Sequence, residues 1–168
     1  MRIRFVIAMF VILALVVPAL MLARDGKAVT AKQLVGTWKV VSVTNERDGK
    51  KIDGFGPNPQ GITSFIGNGR FVRVLTRSDL PKFASNNRNT GTPNENQAVM
   101  QGSIAYFGTY SCTAAEKSCT YHIEGGTFPN WVGADQKRVL TLTGDELRET
   151  NPAASTGGNA VLVWKRVQ

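Results

Sequence analysis

Eight short β-rich segments follow one another along this chain, and most are joined by links of hairpin length. The first begins at Trp38 (WKVVSV) and the last begins at Asn159 (NAVLVWKRV). Asn68-Gly69 separates two of them and is a strong hairpin signal, because both residue types adopt the positive φ that a tight antiparallel turn requires. The pattern predicts an antiparallel sheet in which strands adjacent in sequence are adjacent in space.

One segment is predicted to form a helix of more than one turn. Thr92 and Glu95 make a capping box around Pro93, and the helix is expected to stop at Gly102. A sheet of eight strands must hide its edges, and closure into a barrel hides them. A sandwich has the same strand count, but no Greek-key crossover is evident. The prediction is an all-β, eight-stranded antiparallel up-and-down barrel with one short helix, which could be filled by side chains or hold one small ligand.

The N-terminal segment, residues 1–23, has the layout of a secretory signal peptide. Arg2 and Arg4 precede a long apolar run that ends in small residues. Pro18 interrupts the run, which favours cleavage over the alternative of an uncleaved anchor helix. We expect an exported protein, periplasmic or secreted, with no stable membrane association after cleavage. The predicted organisation is a signal peptide at 1–23, a linker at 24–33 and one domain at 34–168.

Cys112 and Cys119 are the two cysteines, with six residues between them. A nearby pair in an exported protein tends to close into a disulfide. A metal site would need more ligands than this pair and the single histidine supply, and redox pairs usually have Cys-x-x-Cys spacing. We therefore expect a structural disulfide across a hairpin, and neither a metal nor a cofactor.

The charge is positive but scattered. The formal net charge of +8 includes Arg2 and Arg4, so it falls to +6 without the N-terminal segment. Nucleic-acid binding usually needs basic residues concentrated on one face. The distribution indicates a solvated surface, and no nucleic-acid partner is expected.

Several motifs occur in a characteristic order along the chain. They are LVGTW at 34–38, FGPNPQG at 55–61, PKFAS at 81–85, AYFGTY at 105–110 and FPNWVG at 128–133, followed by Gln136 and Arg138. Together they resemble the bacterial lipocalin-like domain family, small calycin-type β-barrels, from about Leu34 to Val167. The resemblance implies an internal pocket but no particular activity. It also implies that Trp38 packs at the closed end against a late basic residue, Lys165 or Arg166.

The segment before the last motif contains the single histidine, His122, and Glu124 two residues later. Alternation along a strand puts these two on one face and Tyr121 with Ile123 on the other. An apolar interior would take Tyr121 and Ile123, whereas a partly polar pocket would take His122 and Glu124. In the second case the pair could serve as a general acid and base.

Two arginines, Arg73 and Arg138, lie in predicted strands. Either one, if it faces the interior, could pair with Glu124 or bind a ligand carboxylate through a bidentate fork; strand arginines more often face water. Trp131 belongs to a rigid loop at the barrel mouth that could also contact ligand. The predicted ligand-binding residues are Arg73, Tyr106, Tyr110, His122, Glu124, Trp131 and Arg138.

Three functions remain open from the sequence. The first is an exported binding protein that holds a small hydrophobic or amphipathic molecule in the barrel lumen. The alternative is a cyclase- or isomerase-type enzyme, with His122 and Glu124 catalytic in the same pocket and an arginine stabilising negative charge. The third is a structural barrel whose lumen is filled.

Overall fold

The computed structural model describes residues 28–168, so the predicted signal peptide lies outside the described residues. The described part contains two α-helices, nine strands and two 3-10 turns. The helices are α1 (Ala31–Leu34) and α2 (Pro93–Gly102), and the 3-10 turns are Ala114–Glu116 and Pro129–Trp131. The strands are β1 (Gly36–Arg47), β2 (Lys50–Asp53), β3 (Gln60–Phe65), β4 (Arg70–Thr76), β5 (Ser103–Thr113), β6 (Ser118–Gly126), β7 (Asp135–Thr143), β8 (Glu146–Asn151) and β9 (Asn159–Arg166).

Eight of these strands form a closed antiparallel barrel. β1 pairs with β3, each later strand pairs with the next, and β9 returns to pair with β1 from Trp38↔Arg166 to Glu46↔Asn159. Closure leaves the barrel strands paired on both sides, which removes the exposed edges of an open sheet. The predicted up-and-down barrel with a short helix is confirmed.

The ninth strand, β2, was not predicted. It pairs only with the end of β1, from Thr44↔Asp53 to Arg47↔Lys50, and so extends that hairpin beyond the barrel. All four of its residues are exposed. It therefore lacks the alternation of buried and exposed positions that marks a half-buried strand in a sequence.

The capping box predicted for α2 is present. Thr92 accepts a hydrogen bond from the backbone N–H of Glu95, and the Glu95 carboxylate accepts one from the backbone N–H of Thr92. The same carboxylate accepts another from Ala84 N, 2.8 Å away. Glu95 therefore also fastens the long β4–β5 connection to the start of α2.

One end of the barrel is closed by α1. Leu34 is fully buried, and its carbonyl accepts a hydrogen bond of 2.8 Å from the indole Nε1 of Trp38. The Arg166 guanidinium lies 4.0 Å from the centre of the Trp38 ring and donates to the carbonyls of Gln33 and Val35. Of the two basic residues proposed to pack on Trp38, the structure selects Arg166.

The predicted disulfide is present and lies at the same end. Cys112 and Cys119 are directly paired residues of β5 and β6, beside the Ala114–Glu116 turn. On the chain-entropy model, closing so short a loop stabilises the fold by about 2 kcal/mol. The disulfide therefore fixes the register of this hairpin at the end opposite the cavity.

Candidate functional site

The longer connections meet at the other end of the barrel and surround a cavity of about 540 Å³. Its mouth is formed by the β2–β3 loop, the end of α2, the β6–β7 loop and the β8–β9 loop. Apolar side chains of the strands line its walls, and charged side chains lie at its inner end. The wall residues include Val43, Leu75, Ile104, Ala160 and Leu162.

A buried ion pair forms the inner end of this cavity. Arg73 of β4 donates through Nη1 to Glu149 Oε1 at 2.8 Å and through Nη2 to Glu149 Oε2 at 2.7 Å. Both side chains have 0% exposure. A bidentate pair of this kind supplies geometric specificity as well as charge compensation.

Arg138 of β7 completes the charged group. Its Nε lies 3.2 Å from Glu149 Oε1, and its side chain is 3% exposed. Its remaining donors reach neutral oxygens: Nη1 donates to the Lys137 carbonyl at 3.1 Å, and Nη2 donates to the Gln136 side chain. Glu149 thus faces two guanidinium groups. We call Arg73, Arg138 and Glu149 the charged floor.

Two tyrosines and a tryptophan surround the charged floor. Arg73 Nη1 donates to the Tyr106 hydroxyl at 3.0 Å, and the Tyr121 hydroxyl donates to Glu149 Oε2 at 3.4 Å. The Trp164 ring centre lies 4.6 Å from the Arg73 guanidinium carbon. Aromatic faces of this kind attract a guanidinium group, and the attraction grows when water is excluded.

These contacts set the charge states of the floor. Burial alone would raise the pKa of the Glu149 carboxyl, but the Arg73 charge and hydrogen bonds, together with Arg138, lower that pKa below its ordinary value. Burial and then the Glu149 charge hold the pKa of the Tyr121 hydroxyl well above its ordinary value. At neutral pH Glu149 is therefore ionised and Tyr121 is a neutral hydrogen-bond donor.

The charged floor retains unused hydrogen-bond donors. The Nε atoms of Arg73 and Arg138 are buried and have no hydrogen-bond partner. Arg138 Nε is close to Glu149 Oε1, but its N–H does not point at that oxygen, so the contact is ionic only. Buried donors without partners are uncommon in folded proteins and need an explanation.

Aromatic side chains of the β6–β7 loop cover part of the cavity mouth. Trp131, in the Pro129–Trp131 turn, packs edge-on against Tyr106 and Phe128, with ring centres 5.1 and 5.5 Å apart. Backbone hydrogen bonds from Gly133 N to Ile123 O and from Ile123 N to Ala134 O fasten this loop to β6. The loop is therefore a fixed rim of the cavity.

Four of the seven predicted ligand-binding residues lie around the cavity: Arg73, Tyr106, Trp131 and Arg138. Tyr110 lies at the closed end instead, where its hydroxyl bonds the carbonyls of Ala31 and Ile66.

The structure places His122 and Glu124, whose facing the sequence left open, on the outer face of the barrel. His122 is 49% exposed and its Nδ1 is 2.7 Å from Asp135, while Glu124 is 32% exposed and bonds Arg70. Tyr121 and Ile123 are fully buried and face inward. Tyr121 and Ile123 bury their apolar surface, and the Tyr121 hydroxyl finds a partner in Glu149, whereas His122 and Glu124 find their partners on the outer face.

Glu149 was missed by sequence reasoning. In β8 it alternates with Leu147 and Asn151, which are both buried. The same alternation places Arg73 between the buried residues Phe71 and Leu75 in β4. The sequence signal that could have predicted this ion pair was a carboxylate and an arginine, each at an inward-facing position of a strand.

No group of three or more His, Cys, Asp or Glu side chains that could hold a metal occurs within residues 28–168. No helix in this described range has the length and apolar character needed to span a membrane.

The comparisons with known proteins agree with the barrel fold. A family model for a lipocalin-like domain matches residues 35–167. The 4'-hydroxy-3'-methoxypropiophenone carrier protein ppsC of Aspergillus oryzae is 26% identical over 103 residues, covering 55% of this chain and 93% of that protein.

Proposed function

This chain belongs to the lipocalin-like domain family, and we propose that it binds one small, largely apolar molecule inside the barrel. The observation that carries the proposal is the cavity of about 540 Å³ with apolar walls and a few polar groups at its inner end. Binding sites for small molecules are usually concave, of about 300–1,000 Å³, and mostly apolar with a small number of placed polar groups. A barrel filled by its own side chains would not leave this space.

The molecule that the Aspergillus oryzae relative carries points to a chemical class. That protein carries a propiophenone, which is an aromatic ketone with a hydroxyl and a methoxy group. In this chain, Tyr106, Phe128 and Trp131 lie around the cavity and offer ring faces and edges at its mouth. Offset or edge-on packing against these rings would suit a flat aromatic ligand. We propose an aromatic or amphipathic ligand for this site.

The alternative of a cyclase- or isomerase-type enzyme has less support than binding. His122 and Glu124 lie outside the cavity, and each has a separate partner, Asp135 and Arg70. Glu149, the carboxylate at the cavity, has a lowered pKa because two guanidinium groups flank it, so it is a weak base at neutral pH. The geometry supports binding better than catalysis.

A cavity-filling variant tests the binding proposal. N-phenyl-1-naphthylamine, an uncharged aromatic probe that fluoresces in apolar surroundings, should bind the wild-type protein with one-to-one stoichiometry in a fluorescence titration. Ala160 is buried on β9 at the cavity wall. An indole side chain there would occupy ligand space, so Ala160→Trp should weaken binding by about tenfold or more, equivalent to about 1.4 kcal/mol.

Ala153→Trp is the matched control, because Ala153 is exposed in the adjacent β8–β9 loop and does not line the cavity. Circular dichroism should show both variants folded. Wild-type affinity in Ala160→Trp would contradict binding in the lumen.

Export is a second part of the proposal. It is supported by the signal-peptide pattern of residues 1–23 and by the Cys112–Cys119 disulfide, which suits an oxidising compartment. The intact mass of the full chain expressed with its own N-terminus should show removal of a segment ending near Ala23 and the loss of two hydrogens. A full-length mass in the membrane fraction would instead indicate an uncleaved anchor.

A further inference from the structure

We propose that the bound molecule carries one acidic group and that Arg73 and Arg138 receive this group at the charged floor. The inference rests on the proposed binding function and specifies its ligand as a largely apolar monoanion. It follows from the charges and unused donors of three side chains, Arg73, Arg138 and Glu149.

The charged floor has one positive charge in excess. It contains two guanidinium groups and one ionised carboxylate, and Glu149 is the sole buried carboxylate within residues 28–168. Tyr121 contributes a neutral hydroxyl group next to it, and Tyr106 contributes a hydroxyl group that accepts from Arg73. The acidic side chains Asp79, Glu95 and Glu124 are occupied with partners away from the charged floor. In the part of the chain that the structure describes, no second buried carboxylate balances the excess charge.

Glu149 cannot balance both arginines. One of its oxygens accepts from Arg73 Nη1 and the other accepts from Arg73 Nη2 and Tyr121. Arg138 approaches only the edge of this carboxylate, and its own hydrogen bonds reach the neutral oxygens of Lys137 and Gln136. The two arginines therefore share the single negative charge of Glu149, and Arg138 has no hydrogen bond to it.

Buried charge without a partner is costly, because the low-dielectric surroundings do not replace the lost hydration. An acidic group at the inner end of the cavity would supply the missing negative charge at short range and give Arg138 a charged hydrogen-bond acceptor, which Glu149 does not provide. Hydrogen bonds between ionised groups are stronger than neutral ones. The apolar walls would hold the rest of the molecule, so the site favours an amphipathic anion over a neutral molecule of the same shape.

Two probes that differ by one sulfonate group measure how much a negative charge on the ligand contributes to binding. 1-Anilinonaphthalene-8-sulfonate has the ring system of N-phenyl-1-naphthylamine with one added sulfonate, which stands in for a carboxylate. Hydrogen bonds to charged groups contribute about 1.5–3 kcal/mol. The wild-type protein should therefore bind the sulfonate about 10- to 100-fold more tightly than the neutral probe. Isothermal titration calorimetry gives both dissociation constants and the stoichiometry.

Arg138→Gln should remove the preference for the sulfonate, so that the ratio of sulfonate to neutral affinity falls to about one. Arg70→Gln is the matched control, because it makes the same charge change on the outer face, beside Glu124. It should keep the wild-type preference. Glu149→Gln acts in the opposite direction: it adds to the positive excess, so its ratio of sulfonate to neutral affinity should exceed the wild-type ratio.

The outcomes separate the two proposals. If the wild-type protein binds neither probe, binding in the lumen is refuted and this inference falls with it. If it binds both with equal affinity, the binding function stands and the acidic ligand is refuted. An equal loss of sulfonate preference in Arg70→Gln and Arg138→Gln would assign the effect to overall charge and would also overturn the inference.

Discussion

Replacing Glu149 with Gln is expected to lower the free energy of unfolding by about 3–5 kcal/mol, the cost of removing one partner from a buried ion pair. The substitution keeps the size of the side chain but leaves two guanidinium groups buried without a carboxylate. Arg73 donates hydrogen bonds of 2.8 and 2.7 Å to the ionised Glu149 carboxylate, and in the variant it would face a neutral amide instead. Urea denaturation followed by circular dichroism measures the change.

Glu124→Gln is the matched control for this substitution. Glu124 also pairs with an arginine, Arg70, but both side chains reach solvent. Exposed ion pairs contribute at most about 1 kcal/mol. Equal losses in the two variants would contradict the role assigned to burial at Glu149.

We also expect the wild-type protein and Glu149→Gln to differ in their stability at acid pH. The pKa of the Glu149 carboxyl is lower in the folded protein than its ordinary value of 4.5, chiefly through Arg73 once the opposing effect of burial is overcome. The unfolded chain takes up this proton at a higher pH than the folded protein does, so acidification favours unfolding. The contribution of Glu149 to the free energy of unfolding is therefore complete above about pH 4.5 and is lost as the pH falls through the pKa of the folded protein. Asp79, Glu95 and Glu116 also have lowered pKa values, through hydrogen bonds, but remain in both proteins. The wild type should therefore lose more stability on acidification than Glu149→Gln.

Trp38→Ala is expected to cost about 3–5 kcal/mol, as is usual when a large aromatic side chain is removed from a core. Trp38 is fully buried, donates to Leu34 O and carries the Arg166 guanidinium on its ring. Its removal would leave a cavity at the closed end and would loosen α1. Because whole domains have only about 5–15 kcal/mol of stability, Trp38→Phe provides a milder second variant.

The matched comparison is Trp131→Ala at the opposite end. Trp131 is partly exposed and contacts Tyr106 and Phe128 at the cavity mouth. Its loss should weaken N-phenyl-1-naphthylamine binding more than it lowers stability, whereas Trp38→Phe should lower stability and leave binding nearly unchanged. The reverse pattern would contradict the division into a closed end and a binding end.

Local patterns accounted for most of the fold. β-Rich segments, the Asn68-Gly69 turn and short links predicted the up-and-down barrel, because antiparallel neighbours depend on residues close in sequence. The helix starting at Pro93 was predicted from a cap whose hydrogen bonds span three residues. β2 was missed because its exposed residues have no inward face to reveal it.

The sequence by itself determined the eight barrel strands, their order, the helix cap and the disulfide, since each depends on contacts between chain neighbours or on a single hairpin. Only the tertiary structure decided which face of β6 points into the barrel and which carboxylate forms the ion pair with Arg73. Alternation separates the faces of a strand without saying which one meets the core when both carry polar groups. Glu149 is 76 residues from Arg73 and reaches it across the closed barrel, not along a hairpin. A charged side chain can stay at such an inward position only when folding brings its partners together there, and this is why the site, unlike the strands, could not be derived from neighbouring residues.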